Sequence, residues 1–338
     1  VRRVVLLVVT FVSIFVLAAC GGDGYEDQTL KVYFVPSRPA DEILEATEPL
    51  EELLLAELAD LGFELGGVDI LVSSNYEAAG EALLAGTGDI GFLPGGTYVA
   101  YKDVDDSPIE VILAATRGGL TKDSPDAIDW NDGVATDSDS DAQVAYYKGL
   151  IVAGVSDAAR EIADTVNSGA DLVWDDVKDL NWCVRSATSS SGYIYPAIWL
   201  QENFGKTFDD IEGIVTQTGG YGDTMSSLAT GTCDVGTIYA DARRDYADEW
   251  TGEYGRTESV WDETDVVGVT ANIMNDTISV SMVNLDQDLV DAITQAFQNI
   301  IATDEGKEIM AIYSHEGYTE VTDSDYDGAR AASEIAGE

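Results

Sequence analysis

The residues best placed to do chemistry are three consecutive serines, Ser189, Ser190 and Ser191, followed by Gly192 and Tyr193. An apolar run, Asn181-Trp182-Cys183-Val184, precedes them and reads as a buried strand. From Tyr195 to Phe204 apolar residues recur at helical spacing. The serines therefore fall at a strand-to-helix junction. Such a junction presents backbone N–H groups without helical partners at the positive end of a helix dipole, which favours an anion. Serine hydroxyls add neutral donors at the same place. The competing reading is a Ser-rich turn with an ordinary N-cap.

Catalytic chemistry finds less support. The chain has one histidine, His315, expected as a surface or cap residue near the end of the last periodic segment. A serine nucleophile would need that base, and no Gly-x-Ser-x-Gly elbow surrounds the serines. No Cys/His group has zinc spacing. Asp137, Asp139 and Asp141 alternate as in a calcium loop, but the Gly at the sixth position and the Glu at the twelfth are missing, so they read as a solvated acidic turn. The Gly-x-x-x-x-Gly-Lys phosphate cradle is also absent. Binding, without a metal or cofactor, is the expectation.

The 338 residues suffice for about two domains. Acidic residues number 63 against 17 basic, a formal charge of −46. Such a surface repels nucleic acid, which is excluded as a partner. The acids are dispersed through periodic segments rather than gathered in a tail, and they fit a folded protein working at high ionic strength.

Arg2 and Arg3 precede an apolar stretch, Val4 to Leu17, that is short for a membrane span. Leu17-Ala18-Ala19-Cys20-Gly21-Gly22 then resembles the lipobox of bacterial lipoprotein signal peptides. The resemblance implies a signal peptide over 1–19, lipidation of Cys20, and a tether over 20–27. Cleavage would take the formal charge from −46 to −48 by removing the two arginines. Two further cysteines, Cys183 and Cys233, lie in strand-like segments and form either a disulfide or a pair of buried thiols.

Strand-like runs alternate with helical ones along the rest of the chain, as in βαβ units. One internal echo stands out. Glu77–Gly91 (EAAGEALLAGTGDIG) and Asp223–Gly236 (DTMSSLATGTCDVG) each give a short helix, Gly-Thr-x-Asp, and a strand opening on an aliphatic residue and Gly. A duplicated half, one copy per lobe, follows from it. The expected lobes are 28–117 plus 265–338, and 118–264, joined by two crossings that form a hinge. Ligands in open α/β sheets sit at the carboxyl ends of strands, where the small polar and aromatic loops of this chain gather.

Three stretches carry a family resemblance: Ser74–Val99, Ser186–Phe204 and Gly231–Arg243. They resemble phosphate/phosphonate-type substrate-binding proteins of ABC transporters, the periplasmic or lipid-anchored phosphonate and phosphite receptors. The resemblance implies a two-lobe periplasmic-binding-protein fold of type II, each lobe a mixed, mostly parallel sheet flanked by helices. It implies that Tyr76 contacts the ligand, that Ser189, Ser190 and Ser191 cradle its phosphonyl oxygens, and that the loop after Phe92 adds donors, with Thr97 and Tyr98 as candidates. Asp241 stands where a carboxylate reads the amino end of some ligands. Two departures occur: Tyr221 occupies the place of a frequent histidine, and Ser190 that of a usual threonine. The implied partners are a small oxyanion and an ABC permease, with the protein an extracytoplasmic, lipid-anchored monomer. The alternatives are another small organic solute, a receptor serving a membrane sensor, and a secreted α/β hydrolase.

Overall fold

The computed structural model describes residues 24–37, 40–185, 187 and 189–336. The expected signal segment over 1–19 and Cys20 lie outside them. The strands are β1 (Thr29–Phe34), β2 (Gly67–Val72), β3 (Ile90–Leu93), β4 (Ile109–Leu120), β5 (Ser138–Val144), β6 (Tyr146–Tyr147), β7 (Gly149–Ala153), β8 (Trp182–Val184), β9 (Val215–Gln217), β10 (Val235–Tyr239), β11 (Asp265–Val269), β12 (Ile273–Met274), β13 (Thr277–Ser281) and β14 (Gly317–Glu320). Among the described residues two large sheets form, each the centre of one lobe. The first runs β14-β4-β13-β3-β1-β2, with β5 on β4; the second runs β11-β7-β10-β8-β9.

Parallel pairing is confined to β2-β1-β3 and to β9-β8-β10. Next to β3 and β10 the inserted strands β13 and β7 run antiparallel. The sheets are thus mixed, and parallel pairing is narrower than the βαβ alternation predicts. Both β13 and β7 enter just after a crossing between the lobes, so no βαβ unit dictates their direction. Gly317-Tyr318 opens the edge strand β14.

In lobe one, alternate residues of β1 turn inward, and Leu30, Val32 and Phe34 are fully buried. Phe34 stacks on Phe92 at 4.3 Å. The helix Gln287–Ile301 covers them with Leu289, Ile293, Phe297 and Ile300. Lobe two packs around Trp182 and Phe208 on one face of its sheet and around Trp130, Trp250 and Leu228 on the other.

The echo in the sequence is an echo in structure. Helix Tyr76–Leu84 leads into β3, and helix Tyr221–Thr230 leads into β10. Both turns use a left-handed glycine, Gly86 at φ 67° and Gly231 at φ 68°. Asp89 accepts from the backbone N–H of Lys31 at 2.9 Å, and Asp234 from that of Asn181 at 2.8 Å. A Cβ on Gly91 would lie 2.9 Å from Leu83, and one on Gly236 3.0 Å from Leu228, so each glycine lets its helix settle on the sheet. Cys183 and Cys233 form a disulfide with Cα atoms 5.8 Å apart. At the matching positions lobe one carries Tyr33 and Gly88, and a Cβ on Gly88 would lie 2.7 Å from the Tyr33 ring.

The lobe limits differ from the expected ones. β11 hydrogen-bonds to β7 in the second sheet, so the return to lobe one follows Val269 rather than preceding Asp265. β5 returns to β4, so the chain after residue 118 visits lobe two at Trp130, comes back, and crosses again near Tyr146. Lobe membership is set by these long-range pairings, which carry no local pattern. Two of the crossings pair as the β6–β12 ribbon. The last helix, Asp327–Ala336, reaches across to lobe two, where Ala332 packs with Tyr195 and Ile198.

Candidate ligand-binding site

A cavity of about 750 Å³ opens between the lobes at the carboxyl ends of their strands. Arg117 and Gly118 of β4, with Ser314 and Glu316, line it from lobe one; Ser191, Tyr221, Tyr239 and Arg244 line it from lobe two. Tyr146, Tyr147, Lys148 and Asn275 come from the crossings.

The serine run is built as a junction between β8 and the helix Tyr195–Phe204. The Ser189 carbonyl accepts from the N–H groups of Tyr193 and Ile194, both at 3.0 Å, which winds a wide turn over Ser190–Ile194. Arg185 N–H and the Thr237 hydroxyl both donate to the Gly192 carbonyl, at 2.9 and 2.6 Å. No side chain fits at residue 192, since a Cβ would meet Arg185 Cγ at 2.2 Å. The Tyr221 hydroxyl lies 3.2 Å from Ser189 Oγ and 3.0 Å from Ser191 Oγ. Its ring sits edge-on to Tyr239 at 4.8 Å, and the Arg185 guanidinium lies 5.2 Å from its centroid. Three hydroxyls, a helix N-terminus and a nearby guanidinium thus converge on one spot, a donor-rich surface suited to an oxyanion.

Of the residues singled out by sequence, Ser189, Ser191 and Tyr221 come together there, with Ser190 half-buried on the same turn. Tyr76 opens the lobe-one helix behind the N-cap Asn75 and is 36% exposed. Burial and then the Asp276 charge push its hydroxyl pKa up. Thr97 is half-buried within the helix Gly95–Lys102 and does not line the cavity. Tyr98 faces the core instead: it is fully buried, donates to Asp323 at 2.7 Å and packs edge-on against Tyr326. The helix turns residue 98 inward. Asp241 is also withdrawn. It is buried, accepts two hydrogen bonds from the Arg243 guanidinium at 3.0 and 2.8 Å, and a third from Thr136 at 2.9 Å. A carboxylate so engaged has little left for a ligand amine.

Sequence reasoning missed Arg117, Tyr147, Asp276 and His315. Arg117 stands near the end of a long strand before Gly118-Gly119, and the rule that ligands gather at strand ends would have found it. His315 is buried, not a surface cap; its Nδ1 lies 3.2 Å from the Tyr318 hydroxyl and its Nε2 3.6 Å from Asp276 Oδ2. Burial works against ionisation of Asp276, but the nearby His315 and the charge of Arg117 outweigh it and hold the carboxyl below the usual range. Tyr147 is pushed up by burial and by the Tyr221 and Asp276 charges, while a hydrogen bond with Ser191 pulls the other way. Lys148 is engaged with Asp123 at 2.8 Å and Asn272 at 2.6 Å. Among the described residues, no group of three or more His, Cys, Asp or Glu side chains could hold a metal ion.

Two α/β lobes facing each other across a polar cleft define a two-lobe solute-binding protein. The chain belongs to the family described as ABC transporter, phosphonate, periplasmic substrate-binding protein, whose model matches residues 32–326. It is a substrate-binding component rather than an enzyme, and the family works outside the cytoplasm with an ABC permease. The protein Mh-p37 of Mycoplasma hyorhinis, titled a putative thiamine pyrophosphate transporter, superposes with a TM-score of 0.68 at 13% identity, over 92% of this chain and 99% of that one. XAC2383 of Xanthomonas citri, bound to ATP, gives 0.59 at 12% identity over 91% and 97%. The sulfonate-binding protein SsuA of Methylobacillus flagellatus gives 0.51 at 14% over 92% and 88%. At these identities the likeness is one of fold. No match is found among curated proteins.

Proposed function

We propose that the protein captures a phosphonate-type oxyanion between its lobes and delivers it to an ABC permease, tethered as a monomer to the outer face of the membrane through lipidated Cys20. Phosphite and phosphate belong to the same ligand class. The observation that carries this reading is the convergence of the Ser189, Ser191 and Tyr221 hydroxyls at the N-terminus of the helix Tyr195–Phe204. Arg117 on the opposite wall lets closure of the lobes complete the charge balance, and its buried Nε has no hydrogen-bond partner among the described residues. The −46 charge does not prevent anion binding, because surface charges are screened beyond about 8 Å at physiological ionic strength.

Calorimetry with phosphate, phosphite, methylphosphonate and 2-aminoethylphosphonate tests the reading. Saturable binding of at least one is expected. Binding of none, with tight binding of a cation, would refute it. Mass spectrometry of the membrane-extracted protein tests the anchor: a diacylglyceryl group on Cys20 is expected, and an unmodified thiol there would remove it.

A further inference from the structure

Arg185 carries a charge that its surroundings leave without a counter-ion. Acidic residues outnumber basic ones 63 to 17, and Arg160, Arg243, Arg244, Arg256 and Arg330 each meet a carboxylate. Among the described residues Arg185 meets none, and its buried Nε has no hydrogen-bond partner. Withdrawn cations are ordinarily paired, so this one calls for a reason.

The side chain is nevertheless fixed. Its Nη1 donates to the Thr218 carbonyl. Thr218 is itself pinned: its N–H and its hydroxyl donate to the Val184 carbonyl at 2.8 and 3.1 Å, and the hydroxyl lies 2.7 Å from that of Thr224. The Arg185 stem occupies the space that a side chain at residue 192 would need, and its backbone N–H holds the Gly192 carbonyl. The guanidinium is thus aimed by the fold rather than free to swing.

It is aimed at Tyr221. Its Cζ lies 5.2 Å from the centre of that ring, within the range at which a cation and an aromatic face attract. The Tyr221 hydroxyl reaches Ser189 and Ser191, and Tyr221 and Ser191 line the interlobe cavity, whereas Arg185 does not. A cation over a phenol draws electron density from the ring and leaves the hydroxyl a stronger donor to an anion. At the reduced dielectric of a partly buried site the charge is felt across the ring.

Resting on the oxyanion reading above, we infer that Arg185 is a positioning residue that sets ligand affinity from behind the cavity wall, its guanidinium giving the Tyr221 hydroxyl the donor strength that a charged oxyanion requires.

Two substitutions separate charge from bonding. Arg185→Gln keeps an amide donor for the Thr218 carbonyl and removes the charge; Arg185→Lys keeps the charge and gives up the planar fork. Methylphosphonate is titrated calorimetrically into wild type, both variants, Tyr221→Phe, and the combined Arg185→Gln and Tyr221→Phe protein. Arg185→Gln should raise the dissociation constant about tenfold, while Arg185→Lys stays within about threefold of wild type. In the Tyr221→Phe background Arg185→Gln should raise it by less than about threefold, because the hydroxyl through which the charge acts is gone. Arg185→Met, which keeps the stem against Gly192, replaces the glutamine variant if that one does not fold. Unchanged affinity in Arg185→Gln overturns the inference and leaves the oxyanion reading standing. Equal losses in the lysine and glutamine variants reduce Arg185 to a packing role and overturn it too. So does an undiminished loss in the Tyr221→Phe background. A wild-type protein that binds neither methylphosphonate, phosphate nor phosphite overturns both readings.

Discussion

Replacing Tyr221 by Phe removes one oxygen from the serine turn and leaves the ring in place. In the free protein the hydroxyl makes two neutral contacts, to Ser189 and Ser191 at 3.2 and 3.0 Å. Neutral bonds at a half-exposed site each contribute about 1 kcal/mol or less, and Phe keeps the edge-on packing on Tyr239 and the approach of Arg185. The folded state should therefore lose at most ~1 kcal/mol. With an oxyanion bound, the same hydroxyl becomes a charge-assisted donor, and such bonds contribute about 1.5–3 kcal/mol. Taking about 2 kcal/mol, the dissociation constant for methylphosphonate should rise roughly 30-fold. Calorimetry gives the affinity, and chemical denaturation of the unliganded protein gives the stability. An affinity within twofold of wild type, at unchanged stability, would show that the three hydroxyls form an ordinary cap and not the anion site.

Asp241→Asn should separate stability from binding in the opposite sense. It strips the partner from buried Arg243, which costs about 3–5 kcal/mol in denaturant unfolding, while ligand affinity of the folded fraction stays within twofold. Replacing Cys183 and Cys233 together by Ala opens a link between positions 50 residues apart, with a loss of about 4 kcal/mol read as a lower denaturation midpoint. The Glu263 carboxyl is held below its usual range by its bond to Arg256 and then by Trp250, against the opposing effect of burial. Its folded pKa lies below the unfolded value of about 4.3, so the stability it contributes is full above that pH and is lost as pH falls through the folded pKa. The stability gap between wild type and Glu263→Gln should accordingly narrow below about pH 4, and a gap constant from pH 6 to pH 3 would contradict the pairing.

What the sequence made legible was local. The helix Tyr195–Phe204 has the bounds its apolar spacing predicts, and the Gly-Thr-x-Asp echo marks the matched turns at Gly86 and Gly231. The placing of Ser189 and Ser191 beside a helix start was legible because it is a pattern of neighbours in the chain. Asp276 and His315 were not, because they are 39 residues apart and meet only when β13 is inserted beside β3 and β4. Tyr98 and Asp241 were misplaced for a related reason. Residue type and motif position named them, but the direction of a helical side chain, and a guanidinium two residues away, decided what they touch.

The disulfide and its counterpart in lobe one fill equivalent places by unlike chemistry. At the Gly231 turn the gap to the strand Trp182–Val184 is closed by a covalent bond that needs an oxidant; at the matching Gly86 turn it is closed by an aromatic ring lying over glycine. Redox state therefore enters one lobe only. Lobe one can complete its packing on either side of a membrane, whereas lobe two gains its cross-link only where thiols are oxidised. The finish of lobe two is in this way tied to export: a chain kept in a reducing compartment has one half complete and the other without its cross-link at the Gly231 turn.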